Sequence, residues 1–330
     1  MATALGANDL FKLVRQGIDV KAVQANVRKP FRFLLCGDPA LIAELRGLLL
    51  SGHDDGLVPL DAAACLETIT PSRPLVTEPK EVRAVIFLGR HGDVGGADFA
   101  ALKTLQVPIL AVTVDYDAQL SGPVTAPAPG TYGEYVVHAI TKDALRGRVF
   151  PHLVECSKGV EIAVGRCLPP LRESVAAKLT RDAANNALKV ALASAVVDHI
   201  PVVGIVLGAF ASAGDMIAIT GFQMMLLLQI QAAYGKDPDV QRMWQLLPVI
   251  GGGFGWRTLA RELVGFVPVA GIAIKGAIAY AGTIVVGEGT TFFLEHGQHM
   301  SKKQAAQLYE RTKDDAMRFA REFTARFRKN

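Results

Sequence analysis

The sequence is poor in the residues that build metal centres and disulfide frameworks. Its 330 residues include four cysteines, none in a Cys-x-x-Cys motif, and seven dispersed histidines. That spacing indicates reduced thiols rather than a zinc site or a set of disulfides. We therefore expect no metal and no cofactor. The first 21 residues have no uninterrupted apolar segment, so a secretory signal is not expected either.

Charge is also scarce. Charged residues make up 20% of the chain, where about 25% is usual, and the net charge is only +4 with basic residues scattered until the last 30 positions. This distribution does not indicate nucleic-acid binding. Apolar residues make up 50% and the mean hydropathy is +0.28. The balance indicates a membrane or an unusually dry helical core.

The first half of the chain alternates between short apolar runs and helical patterns, which is typical of a doubly wound parallel sheet. An amphipathic helix over residues 8–28 leads into it. Strands are predicted at Phe31–Cys36, Val82–Leu88, Val107–Val114 and Tyr135–His138, with a weaker one around Leu57–Leu60. Helices are predicted at Ala40–Leu50, Gly95–Leu105 and Thr141–Leu153.

The turn after the first strand has the position of a phosphate-binding loop without its residues. A P-loop reads Gly-x-x-x-x-Gly-Lys-Ser/Thr, whose backbone N–H groups and lysine hold the phosphates. Here Gly37 is followed by Asp38 and Pro39, and the second glycine, the lysine and the hydroxyl are all missing. Asp38 and Glu44 place negative charge where phosphate would lie, and Pro39 has no N–H. Nucleotide hydrolysis is therefore not expected.

A second nucleotide motif is equally incomplete. The segment after Val107–Val114 aligns with the guanine-reading Asn-Lys-x-Asp of GTPases, and Asp117 falls on its last position. Val114 and Asp115 replace the asparagine and lysine. Gly37, Asp38 and Asp117 are thus the remaining nucleotide-binding candidates, in degenerate form.

No catalytic set is predicted elsewhere. His91 and Asp93 follow a strand end, where a solvated loop is the better interpretation. His152 and Ser157 are close in sequence, but no Gly-x-Ser-x-Gly elbow presents the serine.

The second half contains two long apolar segments that resemble a repeat. Residues 200–233 hold one charge, Asp215, and residues 263–287 hold one, Lys275. Each contains Pro-x-x-Gly in its first part and runs on through small residues, which suits helices that approach closely. The packing residues predicted from the repeat are Pro201, Gly204, Gly208, Pro268, Gly271 and Gly276. Asp215 and Lys275 either pair across the two copies or each reach water near a helix end.

The lengths of these segments suit short hairpins better than separate membrane spans. A turn at Ser212–Asp215 would divide the first segment into two arms too short to cross a bilayer. Basic residues flank both segments and mildly favour hairpins that leave every charged flank in the cytoplasm. Residues 301–330 form an amphipathic helix that opens with the capping box Ser301-x-x-Gln304. This helix docks onto its own protein or, as the weaker alternative, lies on a membrane surface.

The order of these features resembles the YcjF-like family of bacterial proteins, in which a GTPase-type domain precedes a helical domain of unknown function. The resemblance rests on Pro201-x-x-Gly204 with Ala213-Gly214-Asp215, Gln223-Met224-Met225, Ala232-Ala233-Tyr234-Gly235, Pro268-x-x-Gly271 and Thr283–Gly287. It covers most of residues 160–295 and is weaker over 30–155. Because relatives commonly have intact P-loops and are often described as membrane proteins, the resemblance implies a membrane-associated GTPase-type protein. This chain departs from it at the P-loop.

The expected architecture is α/β followed by all-α, with a P-loop-GTPase-like parallel sheet that lacks the P-loop and a duplicated hydrophobic helical-hairpin domain. Its parts are the N-terminal helix (1–30), the degenerate GTPase-like domain (31–158), the hydrophobic helical domain (159–300) and the C-terminal helix (301–330).

The sequence favours a non-catalytic scaffold or regulatory protein with a pseudo-GTPase domain at the cytoplasmic side of a membrane. A protein partner would bind the α/β domain on the surface that a GTPase uses for its switches, and self-association into a homo-oligomer is compatible with the apolar helices. The alternatives are a divergent GTP-binding switch, with phosphate held by backbone alone, and a soluble cytoplasmic two-domain interaction protein.

Overall fold

The computed structural model describes residues 19–54, 56–70, 79–90, 92–94, 97–197, 204–239 and 272–327. These residues divide into two compact units. The α/β unit comprises residues 24–178 together with 232–236, and the helical unit comprises the remaining described residues.

The α/β unit is built on one five-stranded sheet in which every strand pair is parallel. Its strands are β1 Arg32–Gly37, β2 Leu66–Thr68, β3 Val82–Arg90, β4 Ile109–Val114 and β5 Tyr132–Val137, in the order β2-β1-β3-β4-β5. Its helices, with the helix that leads into it, are α1 Val20–Val27, α2 Pro39–Leu49, α3 Leu60–Ala64, α4 Ala97–Lys103, α5 Lys142–Arg146, α6 Val149–Glu155 and α7 Glu161–Cys167. The predicted parallel α/β arrangement followed by helices is confirmed.

The central strands are buried on both faces, as a parallel sheet covered by helices requires. Four consecutive residues of β1, Phe33–Cys36, are at most 3% exposed, and Leu110 in β4 is fully buried. Phe87 of β3 packs edge-to-face on Phe99 of α4, with ring centroids 5.3 Å apart. Each such large apolar side chain contributes about 1.5–3 kcal/mol when it leaves water. The apolar runs in the sequence therefore mark the sheet core.

Two predictions in this unit are wrong in detail. The strand expected around Leu57–Leu60 is an exposed connection followed by α3, and Leu57 and Leu60 are 76% and 90% exposed. The fifth strand is instead the three-residue β2, too short to give a readable alternation. The single helix expected over Thr141–Leu153 is two helices, α5 and α6, because the chain turns at Gly147, a poor helix former.

Arg46 of α2 forms hydrogen bonds at the outer edge of β2. The Arg46 guanidinium donates to the carbonyl oxygen of Leu66 at 2.6 Å and to that of Ala63 at 3.1 Å. A carbonyl at a sheet edge is otherwise free to pair with another strand. Arg46 therefore satisfies an acceptor on β2 that would invite such pairing.

The outer edge of β5 is covered by the loop that precedes it. Ser121 and Val136 exchange two backbone hydrogen bonds, of 3.2 and 3.0 Å, as an antiparallel bridge. Nη1 of Arg148 then donates to the carbonyl oxygens of Gly122 and Pro123, both at 3.1 Å. Arg46 therefore covers one outer edge of the sheet, and the loop held by Arg148 covers the other.

The chain continues through a 3₁₀ turn at Pro169–Leu171 into four long helices. These are α8 Arg172–Val197, α9 Gly204–Ala233, α10 Ile272–His296 and α11 Lys302–Phe327. The Pro169-Pro170 pair lies in this turn and separates α7 from α8. The turn predicted at Ser212–Asp215 is wrong, because α9 passes through those residues without interruption. One glycine among them weakens a helix by only about 1 kcal/mol, which a 30-residue helix tolerates.

The hairpin that the described residues do contain joins α10 to α11. Gly297 adopts a φ of +65° and its N–H bonds to the carbonyl oxygen of Phe293 at 2.8 Å, which ends α10. The capping box that starts α11 is confirmed, since Gln304 N–H donates to Ser301 Oγ at 3.3 Å and Ser301 N–H donates to Gln304 Oε1 at 3.0 Å. Tyr309 of α11 is buried in a cluster with residues of α10. This contact agrees with the expectation that the helix docks onto its own protein.

Close backbone approach holds α8 and α10 together in the helical unit. A Cβ on Gly287 would overlap the Oγ1, Cγ2 and Cβ atoms of Thr180, which is 1% exposed. Nearby, Gln223 of α9 donates to Thr283 Oγ1 of α10 at 3.3 Å. These two contacts between helices are made by small and polar residues, as is common in membrane helices.

Two glycines in this unit should respond oppositely to the same substitution. Gly287→Ala should destabilise the helical unit by about 1–3 kcal/mol, because no rotamer of Thr180 moves its Cβ away. Gly221→Ala is the matched control: nothing lies within 4 Å of its Cβ position, so the better helix former should leave stability unchanged or raise it by about 1 kcal/mol. Urea unfolding monitored by circular dichroism compares the two. Equal stability of both variants would contradict the close approach.

Candidate functional site

The place where this sheet order can hold a ligand is the carboxyl edge between β1 and β3. From β1 the chain passes to β2 on one side, and β3 then returns on the other side. In doubly wound sheets this switch point opens a crevice for ligands. Gly37 and Asp38 lie at the end of β1, and Arg90 ends β3. The structure thus puts two of the predicted nucleotide residues at the expected position.

The crevice is closed by the chain itself. β1 ends at Gly37 and α2 begins at Pro39, so Asp38 is the single residue between them. Asp38 N–H donates to the carbonyl oxygen of Leu88 in β3 at 2.8 Å, which extends the strand pairing past the end of β1. Gly37 has a φ of +113°, and a Cβ there would overlap that same carbonyl oxygen. The turn therefore has no room for the loop that wraps a phosphate.

The first turn of α2 is satisfied by the Asp38 carboxylate. Asp38 Oδ1 accepts from the N–H groups of Ala40 at 2.8 Å and Leu41 at 3.2 Å. Pro39, at the first helical position, has no N–H to offer. These are the donors that bind an anion at a helix N-terminus. The anion-binding end of α2 is thus occupied by a carboxylate of the chain.

The loops after β3 and β4 repeat this arrangement. Asp93 Oδ2 accepts from Arg90 N–H at 2.6 Å, and Asp115 Oδ1 accepts from Asp117 N–H at 3.0 Å. Asp117, the predicted guanine-reading residue, is exposed at the same edge of the sheet. After three neighbouring strands, an aspartate therefore holds the backbone of its own loop. Such carboxylates would repel a polyphosphate.

His152 and Ser157 do not form a catalytic pair. Ser157 is fully buried and its Oγ donates to the carbonyl oxygen of Leu153 at 2.7 Å. His152 Nδ1 lies 2.8 Å from the hydroxyl of buried Tyr135 and binds it across the packing of α6 on β5. Both side chains are part of the core. His91, which the sequence places in the same loop as Asp93, lies outside the described residues.

The predicted packing residues are distributed over the helical unit and beyond the described chain. Gly204 and Gly208 lie in α9, and Gly276 is buried in α10. Pro201, Pro268 and Gly271 lie outside the described residues. Asp215 and Lys275 belong to α9 and α10, but their side chains are outside the described part, so their pairing stays a prediction.

A cluster that the sequence does not reveal lies around Arg172. Its guanidinium lies 3.7 Å from an Asp54 oxygen and 5.7 Å from the centre of the Tyr234 ring, and its side chain is 14% exposed. Lys236 Nζ lies 3.1 Å from the other Asp54 oxygen. A hydrogen bond from Lys236 lowers the pKa of the Asp54 carboxyl. These residues are far apart in sequence and carry no motif, so only the folded chain joins them.

No metal site is present in the described part of the chain, where no three His, Cys, Asp or Glu side chains gather as ligands. The described residues include one helical segment long and apolar enough to cross a membrane, Gly276–His296, and 61% of an 18-residue apolar stretch within it is buried. Core helices of other proteins meet the same criterion. No protein-family model, no curated protein and no solved structure matches this chain.

Acid should weaken the α/β unit through His152. Burial, reinforced by Arg148, lowers its pKa, while a hydrogen bond to the Val124 backbone opposes the shift. Because the folded state favours the neutral ring, its contribution to stability is complete above about pH 6.5 and is lost as the pH falls below that value. Urea unfolding at pH 7.5 and pH 5 should show a smaller loss of stability in His152→Gln than in the unmodified chain. An equal loss in both would exclude His152 as the source.

Proposed function

We propose that this chain is a non-catalytic scaffold or regulatory protein whose α/β unit is a pseudo-GTPase. The observation that carries the proposal is the one-residue connection at Asp38, which bonds to β3 through its N–H and to α2 through its carboxylate. A nucleotide enzyme needs those donors for its substrate. A protein that uses these N–H donors for hydrogen bonds within its own fold keeps the surface of a GTPase-type domain but not its nucleotide chemistry.

The sheet order supports the GTPase part of the proposal. A GTPase sheet without its antiparallel edge strand has the order β2-β1-β3-β4-β5 found here. In such a sheet the missing strand would pair along β2. Arg46 instead bonds to the carbonyl oxygen of Leu66 at that edge. Flavodoxin-type proteins share this strand order, so the order alone indicates a class of fold rather than a lineage.

A protein partner is the natural ligand for such a domain. The segment between α2 and α3 follows the former phosphate turn, where a GTPase has its first switch. Leu57 and Val58 of this segment and Leu60, the first residue of α3, are 76%, 44% and 90% exposed. Contiguous exposed apolar side chains on a surface otherwise rich in polar groups are typical of protein-binding sites. We assign the partner to this segment.

Membrane association rests on the helical unit. α9 and α10 are apolar around their whole circumference, which is typical of buried or membrane helices. Their described contacts include ones made by threonine, glutamine and glycine, at Gln223–Thr283 and Gly287–Thr180. We propose that this unit attaches the chain to the cytoplasmic side of a membrane.

Nucleotide titration tests the pseudo-GTPase proposal. GTP or ATP at about 1 mM with Mg²⁺ should not raise the melting temperature of the full chain, whereas a Kd near 10 μM would stabilise it by about 2.7 kcal/mol. Asp38→Asn is the control, because asparagine caps a helix equally well without the charge. We expect no nucleotide effect on this variant either. A rise in the melting temperature of the unmodified chain with nucleotide would overturn the proposal. A rise in Asp38→Asn alone would show that the negative charge of Asp38, rather than the geometry of the turn, prevents nucleotide binding.

Alkaline carbonate extraction tests the membrane proposal. Native membranes carrying the chain should keep it in the pellet after carbonate and release it with detergent. The physical reason is that carbonate disrupts surface charge contacts and leaves apolar insertion intact. Release into the carbonate supernatant would favour a helical core that only packs on itself, the soluble alternative.

A further inference from the structure

The connection between α2 and α3 is tied to the rest of the α/β unit by one carboxylate. Asp54 lies in this connection, three residues before the exposed Leu57. One Asp54 carboxylate oxygen lies 3.1 Å from Lys236 Nζ, and the other lies 3.7 Å from Nη1 of Arg172. All four residues belong to the α/β unit. A single side chain therefore reaches two cations that come from distant parts of the sequence.

Arg172 is fixed in position by contacts of its own. It is the first residue of α8, and its side chain is 14% exposed. Its Nε donates to the carbonyl oxygen of Gly165 in α7 at 3.3 Å, and its guanidinium lies 5.7 Å from the centre of the Tyr234 ring. A cation that is this buried is costly without a counter-charge, and Asp54 supplies one.

The backbone that carries Lys236 is packed on α7. Nη1 of Arg166 donates to the Lys236 carbonyl oxygen at 3.5 Å. A Cβ on Gly165 would lie 3.0 Å from the Cβ of Ala233, the last residue of α9. Both cations are therefore anchored next to α7, and Asp54 reaches them from the connection between α2 and α3.

The residues that follow Asp54 have little packing to keep them in place. Gly56 N–H donates to the carbonyl oxygen of His53 at 3.0 Å, which closes a turn that contains Asp54. Leu57 and Val58 come next and are 76% and 44% exposed. Side chains that stay in water stabilise a segment little, and such segments are among the first to open. The order of residues 56–60 therefore depends on how firmly the turn at Asp54 is held.

We propose that the ion pairs of Asp54 with Arg172 and Lys236 form a latch, which keeps residues 56–60 ordered and thereby prepares them to bind the partner. A segment that is ordered before binding loses less conformational entropy when the complex forms. Opening the latch frees the segment and weakens the complex. The consequence for partner binding rests on the proposed function, whereas the latch itself is a property of the free chain and is measurable without a partner.

Hydrogen–deuterium exchange of the full chain, read by mass spectrometry of peptides that cover residues 56–60, measures the latch. Asp54→Asn keeps the size of the side chain and removes its charge, so it should abolish both ion pairs. We expect exchange at neutral pH and low salt to be about three to ten times faster in this variant. In Lys236→Met, which removes one pair, it should be about two to five times faster. About 1 M NaCl should accelerate exchange in the unmodified chain and leave the Asp54→Asn rate unchanged.

Two single variants and one double variant serve as controls, with exchange corrected for the intrinsic rate of each sequence. Lys103→Met removes an exposed lysine of α4 whose Nζ lies 4.8 Å from the centre of the Tyr132 ring, and it should leave exchange over residues 56–60 unchanged. Leu57→Ser alters an exposed side chain of the partner-binding segment without touching the latch, and it should also leave exchange unchanged. The double variant Asp54→Asn/Lys236→Met should exchange no faster than Asp54→Asn alone, because both changes break the same ion pair.

Three results would overturn the latch. The first is an unchanged exchange rate over residues 56–60 in Asp54→Asn, and the second is a double variant in which the two single effects multiply. The third is exchange that accelerates to the same extent in β1 and β3, because the ion pairs would then stabilise the whole unit rather than this segment. None of these results bears on the pseudo-GTPase proposal. Conversely, a rise in melting temperature with nucleotide would overturn that proposal and leave the latch in place.

Discussion

The α/β unit depends on one aspartate that bonds in two directions. Asp38 pairs with β3 through its N–H and caps α2 through its carboxylate, so a single residue joins two strands and a helix. A capping side chain contributes about 1 kcal/mol by itself. Its larger effect is on what the turn can bind, because the donors that an anion would need are already used. The hydrogen bonds of Asp38 therefore both stabilise the turn and leave it without free donors for a phosphate.

Much of this fold is readable from sequence because its signals are local. The runs at β1, β3 and β4 are long and apolar, and they mark strands buried on both faces. β2 was misplaced because three residues carry too little pattern to distinguish them from the exposed Leu57–Leu60 segment. The turn predicted at Ser212–Asp215 failed for the opposite reason: small residues permit a turn, but nothing there breaks a long helix.

The sequence predicts where the candidate site lies but not how the crevice at that position is closed. The missing P-loop residues locate Gly37 and Asp38, but the sequence does not reveal that Asp38 N–H reaches Leu88. That contact depends on the neighbouring strand. The same limit applies to the Arg172 cluster, whose members are distant in the chain. Sequence motifs report chemistry between near neighbours, and tertiary contacts assemble the rest.

The position of Arg46 on α2 has a consequence for misassembly. The helix whose start is capped by Asp38 also carries, near its end, the guanidinium that occupies the carbonyl of Leu66 on the outermost strand. If α2 frayed, Arg46 would no longer bind the Leu66 carbonyl oxygen, and the outer edge of β2 could pair with a strand of another chain. Substitutions that remove the Asp38 cap should therefore make the protein aggregate rather than lose a ligand. The aggregates should grow from the exposed edge of β2 while the rest of the sheet stays folded.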